Sequence, residues 1–173
     1  KYDIATIYGY NIGTFGMKKW HQSIIDNINI LTGKNITQNS YDYYEDQFYK
    51  YIIGDEEFRK DMPVKWEILN FKKEINIKGR IIGGCLDVLL DIFGTPYDYT
   101  LNFIEKYKND GIIWYFDNYG LSSEDLIKAF WKLKICGYFK YTKGIIFGRN
   151  MIEESYYNIS FKAALEHSLK ELN

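Results

Sequence analysis

The chain has 173 residues and a mass of 20.6 kDa, enough for one ordinary domain or for one small domain carrying part of another. With 26% charged and 46% hydrophobic residues it is a globular chain, able to bury roughly 70% of its unfolded surface, which excludes a disordered polypeptide. Lys plus Arg number 22 against 23 for Asp plus Glu, a net charge of -1 that argues against a nucleic-acid-binding surface.

Lys1 to Gly16 reads as a short strand holding Ile4 and Ile7, followed by the glycine-punctuated loop YGYNIGTFG. A helix is predicted over Trp20 to Leu31, with Trp20, Ile24, Ile25, Ile28 and Leu31 on one face and Gly33 as its C-terminal cap. From Asn35 to Asp61 a polar, tyrosine-rich run keeps no clean period of 2 or 3.6 and reads as a surface segment. After Pro63 the period becomes two. Val64, Trp66 and Ile68, then Ile75 and Ile77, predict two half-buried strands. Ile81 and Ile82 lead to a predicted Gly83-Gly84 turn, and Leu86, Leu89, Leu90 and Phe93 mark a short helix stopped by Gly94 and Pro96. A further helix fits Tyr99 to Lys108.

GIIWYFD, at 111–117, is a continuous apolar run of the kind a strand buried on both faces shows. Ser122 with Asp125 three positions on predicts a capped helix start. Leu126, Phe130, Leu133 and Ile135–Cys136 give that helix an apolar side, and Gly137 ends it. GIIFG at 144–148 is another short buried strand. The last helix runs from about Phe161 to Leu172 with Ala164, Leu165, Leu169 and Leu172 inward; Trp114 and Trp131 read as core. Strand–helix alternation in the second half predicts an α/β fold, and the change of pattern near Pro63 divides 1–63 from 64–173.

Several chemistries lack their residues. Cys85 and Cys136 are too few for a disulfide framework or a four-thiolate zinc site. His21 and His167 have no second His or Cys at metal spacing, so no metal site is expected. Phosphate-cradling and G-x-S-x-G motifs are missing, and no run approaches the roughly 18 apolar residues of a membrane span. Lys1 stands where a Met is usual and no signal-type segment follows; the expectation is a processed N-terminus or a piece of a longer protein, and a cytoplasmic one. Asp117 is the informative residue: it ends the buried strand just before a glycine loop that feeds a helix. A carboxylate at the carboxyl end of an α/β strand can orient a catalytic histidine; it can equally cap a turn, and both readings stand.

GGCLDVLLDIFGTPY, IIWYFDNYGLSSEDLIKAFWKLKICGYFKYTKGIIFGR and IYGYNIGTFGMKKWHQSIIDNINILTG, in this order and spacing, resemble the LD-carboxypeptidase family of serine peptidases. The branch of the microcin C self-immunity peptidases is the most similar. The resemblance spans about 1–33 and 64–150. It implies that 1–63 is the trailing part of a Rossmann-like N-terminal α/β domain with its connecting segment. Residues 64–173 would be the C-terminal mixed β/α domain, cut short at its end. It further implies a Ser–His–Glu triad whose Glu falls on Asp117, and serine-hydrolase chemistry of this kind needs no organic cofactor. The family's Ser motif belongs upstream of Lys1 and its His motif downstream of Asn173. His167, inside the last helix, does not take that role. Gly83, Gly84 and Cys85 match a turn near the substrate, with Cys85 where many relatives carry Asn. Trp20 matches an aromatic that overhangs the site, although its place on the Ile24–Ile28 stripe favours core packing. Arg149 matches the family's Gly-Arg.

The implied activity of the intact protein is hydrolysis of an amide bond in a murein peptide or a peptidyl-nucleotide antibiotic, in murein recycling or self-immunity. The chain by itself is expected to be inactive, to take a small peptide-like substrate only when intact, to bind neither nucleic acid nor membrane, and to form homodimers through exposed apolar surface. The rival expectations are a non-catalytic peptide- or protein-binding module and a purely structural fragment.

Overall fold

The computed structural model describes residues 6–45, 60–69, 74–150, 154–170 and 172. The chain forms two compact units, Lys1–Glu67 and Ile68–Asn173. In the first, a 3-10 turn at Ile12–Gly16 precedes helix α1 (Gln22–Leu31), and Tyr43–Tyr44 (β1) pairs antiparallel with Met62–Pro63 (β2). The helix starts two residues later than the apolar spacing predicts, because His21 caps it: Nδ1 accepts the Ser23 N–H at 3.1 Å. Gly33 adopts φ +70° past its end, as expected. Of the predicted apolar face only Ile24 is fully buried; Ile25 and Leu31 are exposed. Ile4 lies outside the described residues, and Ile7 lies in no strand. Part of the tyrosine-rich run at 35–61 likewise lies outside them.

The second unit is a three-stranded parallel sheet in the order β3 (Arg80–Cys85), β4 (Ile112–Asp117), β5 (Thr142–Phe147). Helices α2 (Leu86–Ile92) and α3 (Thr100–Lys106) connect β3 to β4, and α4 (Ser123–Ile135) connects β4 to β5. Helix α5 (Phe161–Lys170) packs on α4. The apolar run at 111–117 is the central strand, which explains its composition: Ile112, Trp114 and Phe116 are closed off by Leu86, Phe93, Leu126, Phe130, Leu133 and Phe161. Trp114 stacks on Phe116 at 5.2 Å, and Phe116 meets Phe130, Phe139 and Phe147 at 5.9–6.4 Å. The phenylalanines and Trp114 thus supply much of the core, while Tyr97, Tyr119, Trp131, Tyr156 and Tyr157 are exposed. Tyr138 is buried among the core rings and donates its hydroxyl to Asp98 at 2.5 Å, while Asp98 also accepts the Gly94 and Thr100 N–H groups.

Several expectations fail for identifiable reasons. Residues 64–68 and 74–79 form no strands, and Trp66, Ile75 and Ile77 are exposed; alternation supplies a face, but among the described residues the pairing with the β1 side ends at the Val64 N–H, which donates to the Asp42 carbonyl at 2.8 Å. Gly83 and Gly84 are not a turn. They lie within β3, in register with Tyr115 and Phe116, and the chain passes straight from Cys85 into α2. On α4, Leu126, Ala129, Phe130 and Leu133 make the buried stripe at helical spacing. Trp131, Ile135 and Cys136 fall off that stripe and are exposed, contrary to the core reading. The strand at 144–148 is real, but as an edge strand it is only half-buried.

Sheet closure turns on one contact. A Cβ at Gly83 would stand 1.7 Å from the Tyr115 carbonyl oxygen, so only glycine lets β3 lie against β4 here. Gly94, at φ +83°, has open space around it. Gly83→Ala is therefore expected to cost about 3 kcal/mol or more in urea unfolding, and Gly94→Ala only about 1 kcal/mol. Equal losses for the two would show that the β3–β4 contact is not as tight as described.

Candidate active-site edge of the parallel sheet

The carboxyl ends of the three strands bring together residues distant in sequence. Asp117 closes β4 and pairs in register with Cys85, the last residue of β3. On its other side Gly148 follows β5; its N–H donates to the Phe116 carbonyl at 2.7 Å, and a Cβ there would come within 3.2 Å of the Asp117 Cβ. Asp117 is half-buried, with Oδ1 shielded from solvent. The hydrophobic strand behind it fixes its backbone, and Cys85 and Gly148 flank it closely.

The turn that follows is built by Asn118, which is 3% exposed. Its Oδ1 accepts the Leu121 N–H at 3.0 Å, and its Nδ2 donates to the Leu121 carbonyl at 2.9 Å and to Asn150 Oδ1 at 2.7 Å. Helix α4 is capped by Ser122, whose Oγ accepts the Asp125 N–H and donates to the Asp125 carboxylate, as the Ser-x-x-Asp spacing predicts. Turn and cap thus have their own residues next to Asp117. From the β3 side, Asp87 accepts the Tyr119 and Gly120 N–H groups, each at 3.0 Å. Burial draws the Asp87 carboxyl upward, but the Tyr119 and Gly120 N–H groups, with its own backbone N–H and the Cys85 thiol, together outweigh it and hold the group below the ordinary carboxylate range. Asp87, Asn118 and Gly148 were not legible as site residues; the only signal was an acidic residue in the first turn of a helix following a strand.

Cys85 is half-buried, and its Sγ donates to Asp87 Oδ2 at 3.6 Å. Burial, and then the nearby Asp117 and Asp87 carboxylates, push its thiol up, opposite to what a nucleophilic cysteine needs. Of the other expected site residues, Gly84 lies at this edge, Gly83 one position deeper in the sheet, and Arg149 is exposed just past β5. Trp20 belongs to the first unit. It is 45% exposed, with its indole N–H on the Phe15 carbonyl at 3.2 Å, and so is not the core residue its spacing suggests. His167 is exposed on α5. Among the described residues no cluster of three His, Cys, Asp or Glu forms a metal cage, and no helix is long and apolar enough to cross a membrane. A shallow, polar depression of about 290 Å³ lined by Ser123, Glu154, Ser155, Asn158, Ile159 and Ser160 does not include Asp117 or Cys85.

Residues 78–173 match the family model of the LD-carboxypeptidase C-terminal domain. No curated protein sequence matches the chain. Among solved structures, the microcin C7 self-immunity protein MccF in its wild-type ligand-free state is similar over 88% of this chain and 44% of its own, at 18% identity and a TM-score of 0.61. A ligand-free inactive mutant of MccF is 20% identical over 88% of this chain and 44% of its own, with a TM-score of 0.57. MccF in complex with glutamyl sulfamoyl guanosine is 19% identical over 79% and 38%, with a TM-score of 0.52. The chain spans less than half the length of these structures, which share its α/β fold with a parallel sheet. Because the matched segment covers more than half of the chain, including every strand that meets at the Asp117 edge, the chain belongs to the LD-carboxypeptidase family.

Proposed function

We propose that this chain is the C-terminal part of a serine carboxypeptidase-like hydrolase, with 1–63 belonging to its N-terminal domain and 64–173 to its C-terminal domain, and that Asp117 is the acidic member of its triad. The observation that carries the reading is the place of Asp117: the carboxyl end of the central parallel strand, beside residues that already provide the turn and the helix cap. In the reaction a serine attacks the amide carbonyl, and a histidine takes the hydroxyl proton and returns it to the leaving amine. Asp117 holds that imidazole in its tautomer and stabilises its cation. Backbone N–H groups stabilise the oxyanion, and water releases the acyl group.

Asp117 is shorter by one methylene than the family's Glu, so the histidine must approach by about 1.5 Å more. Gly148, with no side chain beside Asp117, supports that closer approach. Gly83, Gly84 and Cys85 would border the substrate. The substrate class is a small peptide-like amide. MccF has been solved with glutamyl sulfamoyl guanosine and with aspartyl sulfamoyl adenosine, which favours an aminoacyl nucleotide over a murein peptide. Exposed Trp131 and Ile135 support association into a homodimer.

Two outcomes check this reading. The 173-residue chain should not hydrolyse aspartyl sulfamoyl adenosine or a murein tetrapeptide. The product of the complete reading frame around it should, with Asp117→Asn lowering kcat about 10³–10⁴-fold. Undiminished turnover by that variant contradicts the triad role, and binding without hydrolysis favours a non-catalytic binding module. The raised thiol of Cys85 gives a second check. At pH 7 iodoacetamide should modify exposed Cys136 at least about tenfold faster than half-buried Cys85, and raising the pH should speed the labelling of Cys85. Fast labelling of Cys85 at neutral pH would reopen it as a nucleophile.

A further inference from the structure

Asp87 reaches across the site edge. It lies in the first turn of α2, yet its two carboxylate oxygens accept the N–H groups of Tyr119 and Gly120, 32 and 33 residues further along, at 3.0 Å each. The Cys85 thiol, in register with Asp117, donates to the same carboxylate. From the opposite side Asn118 ties the same loop to Asn150 beyond β5. The loop that leaves Asp117 is therefore held at both flanks, by Asp87 on the β3 side and by Asn118 on the β5 side. The Asp87 carboxylate also meets its own backbone N–H at the start of α2, so it serves its helix as well as the loop. Asp87 bridges two strand ends with a bidentate, charge-assisted grip.

We propose that Asp87 is a positioning residue, which fixes the direction of the Asp117 carboxylate by clamping the backbone amides of Tyr119 and Gly120. The proposal rests on the reading of Asp117 as the histidine's partner. Such a carboxylate must stay within about 0.5 Å of its working geometry, and a displacement of about 1 Å costs on the order of 100-fold in rate. Strand β4 sets the Asp117 backbone and Asn118 holds one flank of the loop that leaves it; Asp87 restrains the Tyr119–Gly120 flank. The clamp supplies the restraint without touching the reacting atoms.

Carboxyl-selective ¹³C NMR and amide exchange on the 173-residue chain test the clamp, with the Asp117 signal assigned by its loss in D117N. Asp87→Asn keeps shape and removes charge; Asp87→Glu keeps charge and displaces both acceptor oxygens by about one C–C bond. In D87E the Tyr119 and Gly120 amides should exchange at least about tenfold faster and the Asp117 signal should move, while the Trp114 indole signal and β4 amide protection stay unchanged. Movement of Asp117 in D87N alone is a charge effect and overturns the proposal, as does no movement in either variant.

Should both variants unfold, the unaltered chain decides. On acidification the Tyr119 and Gly120 amides should lose exchange protection as the Asp87 carboxylate, held below the ordinary range, takes up its proton; protection that acid leaves unchanged overturns the clamp. In the full-length enzyme D87E should lower kcat at least about tenfold with KM within about twofold, and a change confined to KM contradicts positioning. Full activity of D117N would remove the role of Asp117 and leave the NMR outcomes standing, so the two failures are distinguishable.

Discussion

Central strand β4 has to be buried on both faces and still end in a carboxylate. Ile112, Trp114 and Phe116 are withdrawn from water, and truncating any of the aromatic ones would cost about 3–5 kcal/mol, so the strand's position is set by packing. Its neighbours come close only because glycine stands where their backbones meet it: Gly83 against the Tyr115 carbonyl, Gly148 beside the Asp117 Cβ. The same closeness that seals the core leaves Asp117 at the sheet's carboxyl edge between a thiol and a residue without a side chain. A rigid, apolar strand with one acidic residue at its tip is a sound mount for a group that must hold another side chain in place.

Around that tip the loops are tied together by polar side chains, each with a separate task. Asn118 closes the turn and reaches the segment after β5. Ser122 caps α4, and Asp87 joins the α2 turn to the backbone of Tyr119 and Gly120. This division of labour gives the Asp117 edge its chemical interest, since an acidic residue at a strand end is common and a tethered one is less so. All of these ties lie within residues 78–173, the segment that matches the LD-carboxypeptidase C-terminal domain.

Elements whose signal is packing were legible in the amino-acid pattern. The run at 111–117 reads as a doubly buried strand because it is one, and the Ser122–Asp125 spacing marks the start of α4 because the cap is local. Signals that need a distant partner were not legible. Alternation at 64–68 and 74–79 mimics a strand, but among the described residues its pairing ends at Val64, and Gly83-Gly84 mimics a turn when its reason is the approach of β4. Trp20 and Trp131 show the limit of helical spacing: each is apolar and lies near a stripe, yet each is exposed. Asp117 could be singled out from its strand, whereas Asp87 could not, since its partners lie more than thirty residues away.

The account depends on the Asp117 carboxylate facing an imidazole. The most direct measurement is a crystal structure of the protein encoded by the complete reading frame that contains this segment. An Asp117 oxygen about 2.6–3.2 Å from a ring nitrogen of a histidine, whose other nitrogen faces a serine hydroxyl, is the predicted result. An Asp117 carboxylate turned wholly into its own loop, with no imidazole within reach, would contradict it.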